Sequence, residues 1–220
     1  ILIGGSSDTD TKNVDATVIA IKEILELVIW AKTQDSMQLE TTPIPIVLFP
    51  QGATALSSSA DAVTFMMLMN STSPRFLIEE QVAGAPHIKK SNIEPLPMGY
   101  LVCAPGGKVG EVGKAKLIQK DDIKRVQAYA LTAEYYGFRL LYLEAGSGAN
   151  EPVNPELIKA AREACDLTII VGGGIRDGQT AKRAASAGAD WIITGNLAEE
   201  YDDADELQRV LTNFIKDMNA

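Results

Sequence analysis

Three short apolar runs between residues 139 and 194 each end in a glycine turn, and this constrains the fold more than any other feature. The turns are Tyr142-Leu-Glu-Ala-Gly-Ser-Gly148, Val171-Gly-Gly-Gly-Ile175 and Thr194-Gly-Asn196. Segments with helical patterning separate them, so the order strand, glycine turn, helix repeats three times. In a closed parallel β/α barrel, successive turns of this kind meet at one rim. Bare backbone N–H groups and a helix N-terminus then make a ready site for a phosphate.

The same alternation extends through the whole chain. Apolar runs bounded by Gly or Pro predict parallel strands at 1–3, 44–49, 62–68, 99–104, 139–144, 167–171 and 190–194. Helices fit 13–32, 75–84, 121–136, 154–164, 177–187 and 202–218. Asp121 and Asp122 offer an N-cap to one helix, and Gly137 a C-terminal stop. Asn154-Pro155 sets a cap residue before a proline at the first helical position. Strands and helices in alternation are the mark of βα units. The expected fold is an α/β (β/α)8 TIM barrel forming one domain over 1–220, with the first of its eight strands expected upstream of Ile1. An open doubly wound sheet is the alternative, but glycine turns closing several consecutive units favour the barrel. Two stretches fit less well. The polar connection at 33–42 is longer than a barrel loop needs, and the gap between 44–49 and 62–68 is too short for a full helix, so it reads as an irregular crossing.

Composition narrows the partners. A formal charge of −9 argues against nucleic acid, whose phosphates demand a basic surface, and gives no help in docking to anionic membranes. No run of about 18 apolar residues predicts a membrane span. Cys103 and Cys165, each at or beside an apolar run, read as small core residues of a cytoplasmic protein.

On a strand through 140–144, Tyr142 and Glu144 share one face and Leu141 and Leu143 the other. The polar pair is expected to point into the barrel at its C-terminal mouth, where such enzymes do their chemistry. A carboxylate there could take a proton from a substrate hydroxyl that the tyrosine orients. Gly172-Gly173-Gly174 and Gly195-Asn196, after the last two strands, are the usual barrel phosphate cradle. Ser6, in Gly4-Gly5-Ser6-Ser7, could touch a metal or a diphosphate, or simply belong to a strand-to-helix turn. The loop from Ala104 to Gly113 reads as a lid whose Lys108 could reach a phosphate. His87, the only histidine, is given no role. The Met- and Phe-rich run Ala62–Met69 reads mostly as core, with the option of lining an apolar channel.

With these turns in view, the chain resembles the geranylgeranylglyceryl phosphate synthases, barrel prenyltransferases of archaeal lipid synthesis with heptaprenylglyceryl phosphate synthases as bacterial relatives. The resemblance runs through Gly4-Gly-Ser6, Val47-Leu-Phe-Pro50, Ala60-Asp-Ala62, Leu68-Met-Asn-Ser71, Gly99-Tyr-Leu101, Tyr142 to Ala149, Gly172-Gly-Gly-Ile-Arg176 and Thr194-Gly-Asn196. It implies transfer of a geranylgeranyl group from geranylgeranyl diphosphate to the 3-hydroxyl of sn-glycerol 1-phosphate, releasing pyrophosphate with Mg²⁺. It further implies that Tyr142, Leu143, Glu144, Ala145, Gly146, Ser147 and Gly148 hold the glycerol phosphate, with Glu144 deprotonating the nucleophile. Gly173, Gly174, Gly195 and Asn196 would bind its phosphate. Ser6 would help to hold Mg²⁺ beside an aspartate expected upstream of Ile1, and relatives form dimers or hexamers.

The chain departs from the family pattern at Ala104, where an acid usually precedes Pro-Gly, and at Gln51, which separates Pro50 from Gly52. Three rival readings are weighed. A synthase of different prenyl length would be told apart by a series of prenyl diphosphates. A phosphosugar isomerase sharing only the cradle would need a second acid–base residue near Glu144. An inactive barrel would bind glycerol phosphate without releasing pyrophosphate.

Overall fold

Glycine and proline punctuation sets the element boundaries. The computed structural model describes residues 1–4, 9–34 and 43–220. Ser6, and most of the 33–42 connection with its unusual length, lie outside the described residues. Seven strands alternate with helices: β1 Leu2–Gly4, α1 Thr11–Gln34, β2 Val47–Phe49, β3 Ala62–Leu68, α2 Glu80–Ser91, β4 Glu94–Val102, α3 Gly107–Val112, α4 Ile123–Tyr135, β5 Leu140–Glu144, α5 Pro155–Ala164, β6 Thr168–Gly172, α6 Gly178–Ser186, β7 Trp191–Ile193, α7 Asn196–Glu199 and α8 Ala204–Asn219. All seven expected strands are present. A single 3-10 turn, Ala53–Ala55, occupies the short gap between β2 and β3, which is the irregular crossing expected there.

The chain divides into two compact units, residues 1–65 with 78–96, and residues 66–77 with 97–220. In the first unit β1 pairs parallel with β2, and β2 with the start of β3. Its core gathers Ile3, Val14, Val18, Ile46, Leu48 and Val63, and Phe65 packs against it. In the second unit β4, β5, β6 and β7 pair parallel in chain order, with Tyr100 opposite Tyr142 and Glu144 opposite Gly172. Its core joins the outer-facing Leu141, Leu143, Ile169 and Val171 to the inner faces of α4, α5, α6 and α8; Met69 belongs to it and Met67 packs against it. The core reading of the Met-rich run therefore holds for these residues.

Several local expectations hold and others need correction. Gly137, at φ 76, ends α4: its N–H goes to Glu134 O at 2.8 Å and that of Phe138 to Ala133 O at 3.1 Å, the two bonds of a Schellman stop. Asn154 caps α5 by accepting from the Glu156 N–H at 3.0 Å. Asp122 stands at the N-cap of α4, but its carboxylate does not cap. It accepts instead from the Gln119 N–H at 2.9 Å and from Arg125 at 3.3 Å. The helix expected at 75–84 is a π turn, Arg75–Glu79, followed by α2, which runs through Pro86 and stops at Asn92 in the left-handed region at φ 56. The loop expected at 104–113 is largely the helix α3, with Lys108 exposed on it.

Candidate active site

The site is built in the second unit, where the C-terminal ends of β4 to β7 bring their turns together. β5 delivers Tyr142 and Glu144 on one face, as strand alternation requires, and both are buried at 3% and 7% exposure. Leu143, between them, is fully buried on the opposite, core face. The chain then turns back on itself. The Gly146 N–H donates to Glu144 Oε1 at 2.6 Å, and the Tyr142 and Tyr100 hydroxyls also hydrogen-bond to this carboxylate.

The glycine triplet makes room for these two side chains. A Cβ on Gly172 would fall on the Tyr142 hydroxyl. One on Gly173 would overlap Glu144 Oε1 and stand 2.7 Å from the Gly146 nitrogen. Gly173 also sits at φ 84, a conformation that L side chains rarely adopt. Gly174 approaches the backbone of Ala149 and Glu151 in the same way, its Cβ position 3.0 Å from Ala149 O. Thus the second turn is pressed against the first.

The third turn closes the cluster. Asn196, the first residue of α7, accepts from the Gly148 N–H at 2.9 Å and from the Ser147 hydroxyl at 3.3 Å through Oδ1. Thr194 Oγ1 donates to Ile175 O at 3.0 Å, tying the second turn to the third. Ser147, Gly148 and Gly195 are exposed, whereas Tyr142 and Glu144 lie buried. Ala145 is buried in the core. Its N–H donates to Gly172 O at 3.0 Å and its C=O accepts from the Gly106 N–H at 2.9 Å, so it serves the turn through its backbone. All the residues expected from the sequence between 142 and 196 therefore gather at one place, while Ser6 is outside the described residues.

Electrostatics single out one group. Burial pushes the Glu144 carboxyl above the ordinary range, against the opposing pull of the Gly146 N–H and the Tyr142 and Tyr100 hydroxyls. The two tyrosines are in turn driven well above theirs, first by burial and then by the Glu144 charge. Burial likewise raises the Cys103 thiol to about 12, so it stays protonated. Arg176 brings a cation to the rim, its guanidinium donating to Gly148 O at 3.2 Å. Sequence reasoning gave neither Tyr100 nor Arg176 a role, although both stand inside the motifs Gly99-Tyr-Leu101 and Gly172-Gly-Gly-Ile-Arg176. Their signal was position: Tyr100 is the strand neighbour of Tyr142, and Arg176 follows the triplet by two residues. Among the described residues, no three His, Cys, Asp or Glu side chains gather into a metal site.

The arrangement offers a carboxylate of raised basicity under turns rich in backbone N–H groups. It suits proton removal from an alcohol whose molecule also carries a phosphate. Comparison with known proteins bears on which alcohol. Residues 1–214 match the PcrB family. The geranylgeranylglyceryl phosphate synthase of Methanococcoides burtonii is 44% identical over 217 residues, covering 98% of this chain and 81% of that protein. The crystal structure of (S)-3-O-geranylgeranylglyceryl phosphate synthase from Thermoplasma acidophilum, in complex with its substrate sn-glycerol-1-phosphate, is 38% identical. It superposes with a TM-score of 0.85, covering 99% of this chain and 80% of that one. The 3-hexulose-6-phosphate synthase of Salmonella typhimurium, 19% identical with a TM-score of 0.52 over 98% of this chain and 87% of its own, is similar in fold alone. The fold class is that of the (β/α)8 barrels, as the alternation of elements led us to expect.

Proposed function

The chain belongs to the PcrB family, and from that premise we propose that it transfers a geranylgeranyl group from geranylgeranyl diphosphate to the 3-hydroxyl of sn-glycerol 1-phosphate. Residues 1–220 are read as a single prenyltransferase domain. The observation that carries this reading is the buried Glu144 carboxylate beneath the joined turns at 146–148, 172–174 and 195–196. The turns suit a phosphate, and a carboxylate beside them suits the alcohol of the same small molecule. Tyr142, Leu143, Glu144, Ala145, Gly146, Ser147, Gly148, Gly173, Gly174, Gly195 and Asn196 form the glycerol phosphate site in this reading. Leu143 and Ala145 act by packing and backbone position, the others from the site face.

The step balances simply. Glu144 takes the proton of the 3-hydroxyl, the oxygen bonds to the allylic carbon, the bond from that carbon to the diphosphate oxygen breaks, and pyrophosphate leaves with the electron pair. Burial raises the basicity of Glu144 and so favours its accepting the proton. Tyr142, hydrogen-bonded to Glu144, orients the hydroxyl. Bound Mg²⁺, which Ser6 would help to hold, would supply charge neutralisation at the leaving diphosphate. Its expected ligand Ser6 lies outside the described residues.

The proposal extends to a cytoplasmic homo-oligomer, a dimer or hexamer. Free, buried Cys103 and Cys165 agree with a reducing compartment, and among the described residues no helix is long and apolar enough to cross a membrane. The exposed Tyr135 and Tyr136 suit a contact with a second copy, which light scattering checks.

The test is direct. Incubation with sn-glycerol 1-phosphate, geranylgeranyl diphosphate and Mg²⁺ should release pyrophosphate and form the ether. Glu144→Gln should still bind sn-glycerol 1-phosphate in calorimetry while turnover falls by roughly 10²–10⁴-fold. Binding without pyrophosphate release by the unsubstituted chain would sink the proposal, and a series of longer and shorter prenyl diphosphates reads the chain length.

A further inference from the structure

Glu144 is not held by its own turn alone. Its neighbours are Tyr142 from β5 and Tyr100 from β4, which stand opposite one another in the strand register, two pairs before Glu144 and Val102. The two rings pack at 5.2 Å between centroids, tilted by 55°. Both hydroxyls hydrogen-bond to the carboxylate, and the Gly146 N–H donates to Oε1 at 2.6 Å. An ionised carboxylate has about four lone-pair directions. Gly146, Tyr142 and Tyr100 each bring a donor to the carboxylate.

We infer that Tyr100 is a positioning residue that fixes the carboxylate of Glu144 for the substrate hydroxyl. This inference rests on the proposed role of Glu144 as base. Tyr100 is itself buried and approaches Glu144 from the neighbouring strand, so it acts on the substrate only through the carboxylate. Its second effect is on proton affinity. A hydroxyl donating to the ionised form stabilises that form, and removing it raises the carboxyl further above the ordinary range. The other titratable groups facing Glu144 are Tyr142 from β5 and Cys103 just beyond β4, while the turn after β6 meets it with Gly173. Both titratable neighbours are driven upward and stay protonated, so among the groups at this carboxylate only Glu144 contributes to the acid limb of the rate.

The test pairs Tyr100→Phe, which keeps the ring and deletes the donor, with carbon-13 NMR titration of the labelled glutamate carboxyls without substrate. In Tyr100→Phe the Glu144 midpoint should rise by about one pH unit, a factor of ten in proton affinity. The acid limb of kcat/KM should move by the same amount, and kcat near neutrality should fall while KM for sn-glycerol 1-phosphate holds. 3-Fluorotyrosine placed at position 100, a stronger donor of nearly the same shape, should move the midpoint the other way and serves if Tyr100→Phe does not fold. An unchanged Glu144 midpoint in both variants overturns the inference. A chain that transfers no prenyl group but shows both NMR shifts overturns the proposed function and leaves the tyrosine–carboxylate coupling standing.

Discussion

At the scale of single residues, the site depends on one acid kept where acids are not stable. Burial raises the Glu144 carboxyl, so folding favours its neutral form. The sign follows: its contribution to stability is fully present below the unfolded carboxyl range and is lost as pH rises through the raised folded value. Glu144→Gln should therefore melt at a higher temperature than the parent near neutrality, with the gap closing in acid. Calorimetric melting across pH checks this, and a variant less stable near neutrality would contradict it. Gly173 makes the complementary case. A methyl there meets the Glu144 carboxylate and the Gly146 nitrogen at φ 84, so Gly173→Ala should cost about 1–3 kcal/mol from backbone conformation alone. It should also lower turnover more than it lowers Tm by displacing the base, which paired melting and rate measurements would resolve. The alternation of Tyr142 and Glu144 along β5, and the cost of a glycine triplet, made both residues legible in the sequence. Tyr100 was not, because a tyrosine in an apolar strand reads as core until the register places it opposite Tyr142. Asn70 was likewise only part of a motif. In the fold its side chain, almost fully buried, accepts from the Val102 N–H at 3.1 Å and donates to Val102 O and Lys116 O, finishing the end of β4 as a missing strand residue would.

At the scale of elements, strands came through more faithfully than helices, for identifiable reasons. β3 matches its expected limits, and β5 and β6 fall within one residue of theirs, because apolar runs buried on both faces are sharply bounded. β4 begins at Glu94, earlier than expected, because Pro95 and Pro97 read as loop. Its ladder to β5 indeed starts only at Met98, beyond the prolines that lack an N–H. α3 was missed because Gly107 and Gly110 lower helix propensity, and α7 because four residues carry no period. The helices with clear end signals docked as expected, and α6 against α8 shows how closely. A Cβ on Gly178, at the start of α6, would run into Phe214 O of α8 and stand 2.6 Å from Asp217 Cβ and 2.9 Å from the Met218 nitrogen. Backbone cannot yield as a flexible side chain would. Gly178→Ala should push α8 outward and destabilise the chain by roughly 1–3 kcal/mol, as overpacking does. The loss should appear as a lower urea midpoint, with KM for sn-glycerol 1-phosphate little changed because the turns at 146–148 and 172–174 do not rest on α8. A matching rise in KM would mean that α8 supports the site after all.

At the scale of the whole molecule, charge sets the terms on which an anionic substrate arrives. The chain carries a formal −9, and sn-glycerol 1-phosphate and a prenyl diphosphate are both anions. With that net charge a phosphate has to be met locally, and a cradle of backbone turns with Arg176 at its rim suits that need. Local attraction and long-range repulsion respond differently to salt. At about 0.01 M ionic strength the Debye length is ~30 Å, so an approaching anion meets the field of the entire chain, whereas near 0.15 M it is ~8 Å and only the nearest charges act. Steered enzymes lose kcat/KM as salt is added. This chain should do the reverse. With Mg²⁺ and pH held constant, kcat/KM for sn-glycerol 1-phosphate should rise as monovalent salt increases over that range, because screening removes the repulsion while the turns still bind at contact. Arg176→Gln should lower kcat/KM at every salt concentration and steepen the rise, having removed a cation that offsets the field near the rim. A steady fall of kcat/KM with salt in the parent chain would mean that a cationic approach outweighs the net charge, and that the phosphate is guided in from a distance.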